Sequence, residues 1–195
     1  VPVLLAAALG QDVPLIALHL TRPAIEIPDR DALGMPSHME AARGAYVVRD
    51  CEESAPRGGT IFVQGTSAMR SVTQLLPQLA AKGLNVKIVC VTSPELFALQ
   101  PEEYQRQVIT PADMADSTVI TTQARWLMHR WLLNPIAEEY ALSSDHDNAW
   151  RTGGTLEEVI EEAHLSPEWV LKGIERFVSE RDQRLRRLQA QFDAL

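Results

Sequence analysis

The sequence is poor in cysteine, poor in aromatic residues and without an excess of positive charge. Only Cys51 and Cys90 occur among 195 residues. Both stand in apolar, strand-like runs. They read as reduced core thiols of a cytoplasmic protein rather than as a disulfide or a metal pair. Eighteen Lys and Arg face 26 Asp and Glu, a formal net charge of −8. An acidic chain without a basic stripe argues against nucleic acid or an anionic membrane as partner. No run approaches the ~20 apolar residues of a membrane span. The N-terminal "VPVLLAAALG" has no basic residue ahead of it and reads as a piece of a folded domain, not a signal peptide. Glycine-rich phosphate loops are missing: "VQGTSAMR" carries one glycine after a strand, far short of G-x-G-x-x-G. Gly65–Ala68 still lies where a strand meets a helix N-terminus. With Ser93, such a turn could hold an anion or nucleotide in a free-standing module; a tight structural turn explains the same glycine.

Metal and triad patterns are absent as well. His19, His38, His129, His146 and His164 show no ligand spacing. The polar cluster "DHDN" (Asp145–Asn148) reads as an exposed loop, and the glutamates of "EEVIEEAH" as a solvated helix face. His129, Trp126 and Trp131 stand at helical spacing and are expected to pack one face.

What is present is a 46% hydrophobic chain with alternating strand and helix patterns. Val3–Leu9 reads as a helix end and Pro14–Leu20 as a fully buried strand. Thr21–His38 has three prolines and no period, so it reads as an interdomain linker. From Gly44 onward, strands are expected at Ala45–Cys51, Thr60–Thr66, Val86–Val91, Ser117–Ala124 and "YALSSD". Ser67 is the expected cap of the helix up to Gly83, which contains a kinking Pro77. Ser93-Pro94 and Ser166-Pro167 each place a capping residue before a proline at the first helical position. "STVITTQA" gives way to a helix start in "RWLMHRWLLNPIAEEY", and two helices close the chain. The last carries an apolar stripe at Leu185, Leu188, Phe192 and Leu195, to be docked on the domain or on a partner. The loop after the first strand is about nine residues long, too short for a parallel crossover, so that strand should run antiparallel to the rest. The pattern is that of an α/β domain with a mostly parallel sheet.

Four segments, in this order, resemble the C-terminal part of transketolases: "ALHLTRP" (Ala17–Pro23), "ARGAYVVRDC" (Ala42–Cys51), "TIFVQGTSA" and "KGLNVKIVCVTSPELFALQPEEYQRQVITP" (Lys82–Pro111). The resemblance implies a three-layer α/β/α fold with a five-stranded mixed sheet. It implies residues 1–27 as a remnant of the preceding pyrimidine-binding domain, 28–43 as linker, 44–178 as the C-terminal domain, and 179–195 as a helical extension. It also implies thiamine diphosphate and magnesium in the full-length enzyme, ketol transfer between sugar phosphates, and a homodimer. The C-terminal domain supplies no cofactor ligand in the family, so this chain is expected to have a structural and dimerisation role and no activity alone. Only Arg22 is carried over, matching the family's arginine for the sugar-phosphate group; guanidinium suits phosphate oxygens. The chain departs from the family pattern at "TQAR" (Thr122–Arg125), at "NAWRTGG" (Asn148–Gly154) and at Pro23-Ala24. The homodimeric pyruvate dehydrogenase first component, which shares this domain, stays open as an alternative.

Overall fold

The computed structural model describes residues 1–194. Five strands form one mixed sheet in the order β1-β3-β2-β4-β5. They are β1 (Ala45–Arg49), β2 (Thr60–Gln64), β3 (Lys87–Val91), β4 (Ser117–Thr121) and β5 (Leu142–Ser143). β1 pairs antiparallel with β3; the other pairs are parallel. The short, helix-free β1–β2 connection predicts this. Asn85 pins that turn: its amide nitrogen donates to the Glu52 and Ala55 carbonyls, and its carbonyl oxygen accepts from the Glu52 amide.

β2, β3 and β4 are buried on both faces, which is why they are rich in β-branched and apolar residues and show no polar alternation. On one face Ile61, Val63, Ile88 and Ile120 meet α2 (Thr66–Ala81) and α7 (Pro167–Ser179) through Leu75, Leu79, Ile174 and Phe177. On the other face Phe62, Val89 and Val119 meet Phe97, Met128 and Trp131. The second layer consists of α3 (Pro94–Ala98), α4 (Glu102–Val108), α5 (Pro111–Ala115) and the 3-10 helix Arg125–Trp131. This is the three-layer α/β/α arrangement. Each fully buried Ile, Val or Phe contributes about 1.5–3 kcal/mol.

α2 ends in a Schellman motif. The Leu84 amide donates to the Leu79 carbonyl and Gly83, at φ +66°, donates to Ala80. The helix continues through Pro77 on its exposed side. Its N-cap is Gly65, with no side-chain cap; Ser67 already lies inside the first turn. The expected Ser67 cap is therefore corrected: the positive φ of Gly65 turns the chain two residues earlier.

Other expectations also change. Pro14–Leu20 is neither strand nor buried; Leu15 is 82% exposed and Leu20 65%. An apolar run becomes a strand only beside a partner strand, and none of the five strands lies beside it. α1 (Pro2–Leu9) forms as read and packs against the 3-10 helix His38–Arg43. Of the expected aromatic face only Trp131 is buried. Trp126 and His129 meet edge to face at the surface, with ring centroids 4.8 Å apart. α6 (Leu156–Glu162) is capped by Thr155 and Glu158. The final helix is two helices, α7 and α8 (Arg181–Asp193), broken at Glu180. α8 docks on its own domain by only part of the expected stripe: Leu188 is buried and Leu185 half-buried, while Phe192 is 57% exposed. Leu195 lies outside the described residues. The residue that enters the interior is Arg184, 2% exposed, stacked 3.7 Å above the Phe177 ring.

At the amino ends of the strands, Lys87 and Asp113 form a buried ion pair at 2.8 Å. Lys87 also donates to the Val108 carbonyl, while Arg57, Thr60 and Thr110 complete the shell of Asp113. Burial pushes the Asp113 carboxyl up, but the hydrogen bonds from Lys87, Thr60 and Thr110 outweigh it and bring it down to about 2. A folded-state value below the unfolded one stabilises the fold above about pH 4, and that stability is lost as pH falls toward 2. Between pH 5 and pH 2 the native chain should lose about 2 kcal/mol more unfolding free energy than Asp113→Asn, read from urea midpoints. Equal losses would show that Asp113 does not titrate in this window.

Candidate functional site

In open parallel sheets, ligands sit outside the carboxyl ends of the strands, where successive connections leave in opposite directions. Here β2 connects to β3 on one side, and β3 then crosses over to β4 on the other. The crevice therefore falls between Gly65 and Thr122. It is closed. The Thr122 amide donates to the Gln64 carbonyl at 3.3 Å, and its hydroxyl stands 2.0 Å from where a Gly65 Cβ would be. Gly65, at φ +99°, thus admits the Thr122 side chain where an anion would have to enter. A structural turn accounts for this glycine better than a phosphate seat.

Beyond Thr122 the rim is tied by Asp145. Both carboxylate oxygens accept from the Arg125 amide, at 3.1 and 3.3 Å. Burial pushes the Asp145 carboxyl up, but the Ser143 hydroxyl, the Arg125 amide and the Arg125 guanidinium bring it down on balance. The "DHDN" stretch is thus partly anchored rather than simply exposed. Next to it His146 stacks on His164 at 4.1 Å, and His164 on Trp169 at 3.9 Å. Burial lowers the His164 pKa, and the neighbouring His146 lowers it further. Among the described residues no three His, Cys, Asp or Glu side chains are placed to hold a metal ion.

Thr92-Ser93-Pro94 is a structural joint. Ser93 caps α3 by accepting from the Leu96 amide at 3.2 Å. The Thr92 and Ser93 amides both donate to the Gly44 carbonyl, at 2.8 and 2.9 Å. The Thr92 hydroxyl donates to the Ala41 carbonyl at 2.9 Å. The turn therefore clasps the segment leading into β1. Cys90 is buried and Cys51 half-buried, both as free thiols. Burial pushes Cys90 up to about 11. Arg22 stands exposed in an irregular stretch, without an ion pair among the described residues. The four glutamates of "EEVIEEAH" serve local structure: Glu157 pairs with Arg70 at 3.6 Å, Glu158 closes the α6 cap, Glu161 accepts from the Trp169 indole, and Glu162 accepts from Thr152.

Sequence reading misses Gly44, Thr122, the Lys87–Asp113 pair and Arg184. A lysine inside "NVKIVCV" and the T-x-x-D box of "TPAD" are the available signals for the pair. Thr122 gives none, since its role depends on β2 and β4 being neighbours.

The comparisons fit this architecture. Residues 44–145 match the family described as Transketolase-like TK C-terminal domain. Transketolase 2 of Escherichia coli is 36% identical over 76 residues, which are 39% of this chain and 11% of that protein. The transketolase of Aquifex aeolicus is 30% identical over 95 residues, 49% of this chain and 13% of that protein. The solved transketolase from Leishmania mexicana superposes with a TM-score of 0.51 at 20% identity, over 74% of this chain and 19% of that one. That from Campylobacter jejuni gives 0.51 at 15% identity, over 69% and 18%. The aligned parts are thus a small fraction of each relative, and the solved structures speak for the fold. With more than half of its residues inside the family match, on a sheet of this topology, the chain belongs to the transketolase-like C-terminal domain family.

Proposed function

We propose that this chain is the C-terminal part of a thiamine-diphosphate-dependent transketolase-type enzyme, with a structural and dimer-forming role and no turnover of its own. The observation that supports this most is the closed crevice. A domain whose customary ligand position is filled by Thr122 serves by its surfaces and its stability. In this reading, residues 1–27 are the tail of a pyrimidine-binding domain, and exposed Arg22 holds a sugar-phosphate group once that domain is present. Thiamine diphosphate and magnesium belong to other domains of the full-length protein. The whole enzyme moves a ketol unit between sugar phosphates in the cytoplasm.

The test is an assay of the purified chain, and of the full-length gene product, with thiamine diphosphate, magnesium and a ketose phosphate. The full-length protein should turn over and the 195-residue chain should not. Turnover by the chain alone would overturn the structural reading. Pyruvate decarboxylation by the full-length protein would move the assignment to a 2-oxoacid dehydrogenase.

A further inference from the structure

A groove of about 670 Å³ runs between the outer edge of β1, the turn around Gly34 and the exposed side of α2. Its walls are mainly apolar: Leu33, Met35, Val47, Leu76 and Pro77 contribute to them. Into this lining projects one cation. β1 carries a bulge: Val47 pairs with Val89 and Arg49 with Ile88, leaving Val48 unpaired between them. A bulge re-aims the side chain that follows it. Val47 belongs with the second-layer face, whereas Ile88, the partner of Arg49, belongs to the α2 face. The bulge therefore swings Arg49 toward α2 and into the groove wall.

Arg49 makes no ion pair or hydrogen bond among the described residues, and its Nη1 is buried without a partner. A half-buried guanidinium is ordinarily matched by a carboxylate, a phosphate or several carbonyl oxygens. The nearest acidic residue in the lining, Asp50, instead accepts from the Cys51 amide at 2.8 Å. The groove thus holds a guanidinium that pairs with no carboxylate among the described residues, although Asp50 also lies in the lining, and its size suits a small ligand.

We propose that this groove is a binding site for a small organic monoanion with a hydrocarbon body. Its carboxylate would pair with Arg49, and its chain would lie along Leu76, Pro77 and Met35. The site is separate from the Gly65–Thr122 crevice and independent of the structural role assigned to the domain.

Octanoate is the probe, titrated into the full 195-residue chain labelled with ¹⁵N. Saturable shifts are expected at the Arg49 side-chain Nε–H and at the amides of Gly34 and Ala80, with the rest of the spectrum unchanged. Octan-1-ol, of equal length but uncharged, should bind at least about tenfold more weakly, as should octanoate to Arg49→Met, because each lacks one half of the charge-assisted pair. Ala80→Trp fills the groove from an exposed helix position without removing any buried group. It should abolish the shifts while leaving the thermal midpoint unchanged. Absence of saturation up to 10 mM octanoate, undiminished binding to Arg49→Met, or shifts scattered over the surface would each overturn the proposal.

Discussion

Asp116→Ala should lower the unfolding free energy by about 3–5 kcal/mol. Asp116 is 3% exposed and receives two arginines from α8. Arg184 donates through Nε at 3.0 Å and Nη2 at 2.6 Å to Oδ1, and Arg181 through Nε at 2.6 Å to Oδ2. Without the carboxylate, Arg184 keeps its stacking on Phe177 but loses its counter-charge in a dry interior. A buried ion pair broken on one side is far more damaging than one never built. The thermal midpoint should fall by about 10 °C for a chain of this size. The double variant Asp116→Leu, Arg184→Met removes both charges and should recover at least half of the loss. A single-variant loss below about 1 kcal/mol would mean that the pair behaves as an exposed surface bridge.

Gly44→Ala ranks next. Gly44 sits at φ +83°, and a Cβ there would stand 2.3 Å from both the Phe97 amide nitrogen and the Ser93 carbonyl oxygen. Both obstacles are backbone atoms of the α3 turn, which no rotamer change can move. The joint must open, and the two amides that donate to the Gly44 carbonyl then lose their acceptor. The strain of a non-glycine residue at this φ adds about 1–3 kcal/mol. With the lost hydrogen bonds, the expected loss is about 3 kcal/mol or more. Gly34 is the control. Its φ is +62°, but nothing lies within 4 Å of the position that an added methyl group would take. Gly34→Ala should therefore cost only about 1 kcal/mol. Equal losses in urea titrations would show that φ alone, and not the clash, governs Gly44.

The sheet is legible because β2, β3 and β4 are enclosed on both faces and are rich in β-branched and apolar residues. The direction of β1 is legible because the length of Asp50–Gly59 permits no crossover helix. Where a residue's partner is remote, the pattern says little. Pro14–Leu20 has a buried strand's composition, yet composition does not say whether a neighbouring strand exists. α7 and α8 read as one helix because the break at Glu180 carries neither glycine nor proline. Arg184 reads as one of the charged residues flanking an apolar stripe. Only Asp116, 68 positions away, turns it inward. At the candidate site the Gly65 turn is visible, but the side chain that closes it comes from another strand.

Asp116 couples the sheet to α8 through one side chain and one carbonyl. Its carbonyl accepts the Thr60 amide at 2.9 Å at the head of β2, and its carboxylate waits for Arg181 and Arg184. Without α8 the five strands would close beside a carboxylate that has no counter-charge. Through one residue the amino ends of β2 and β4 and the docking of α8 form a single unit, so that loosening either weakens the other.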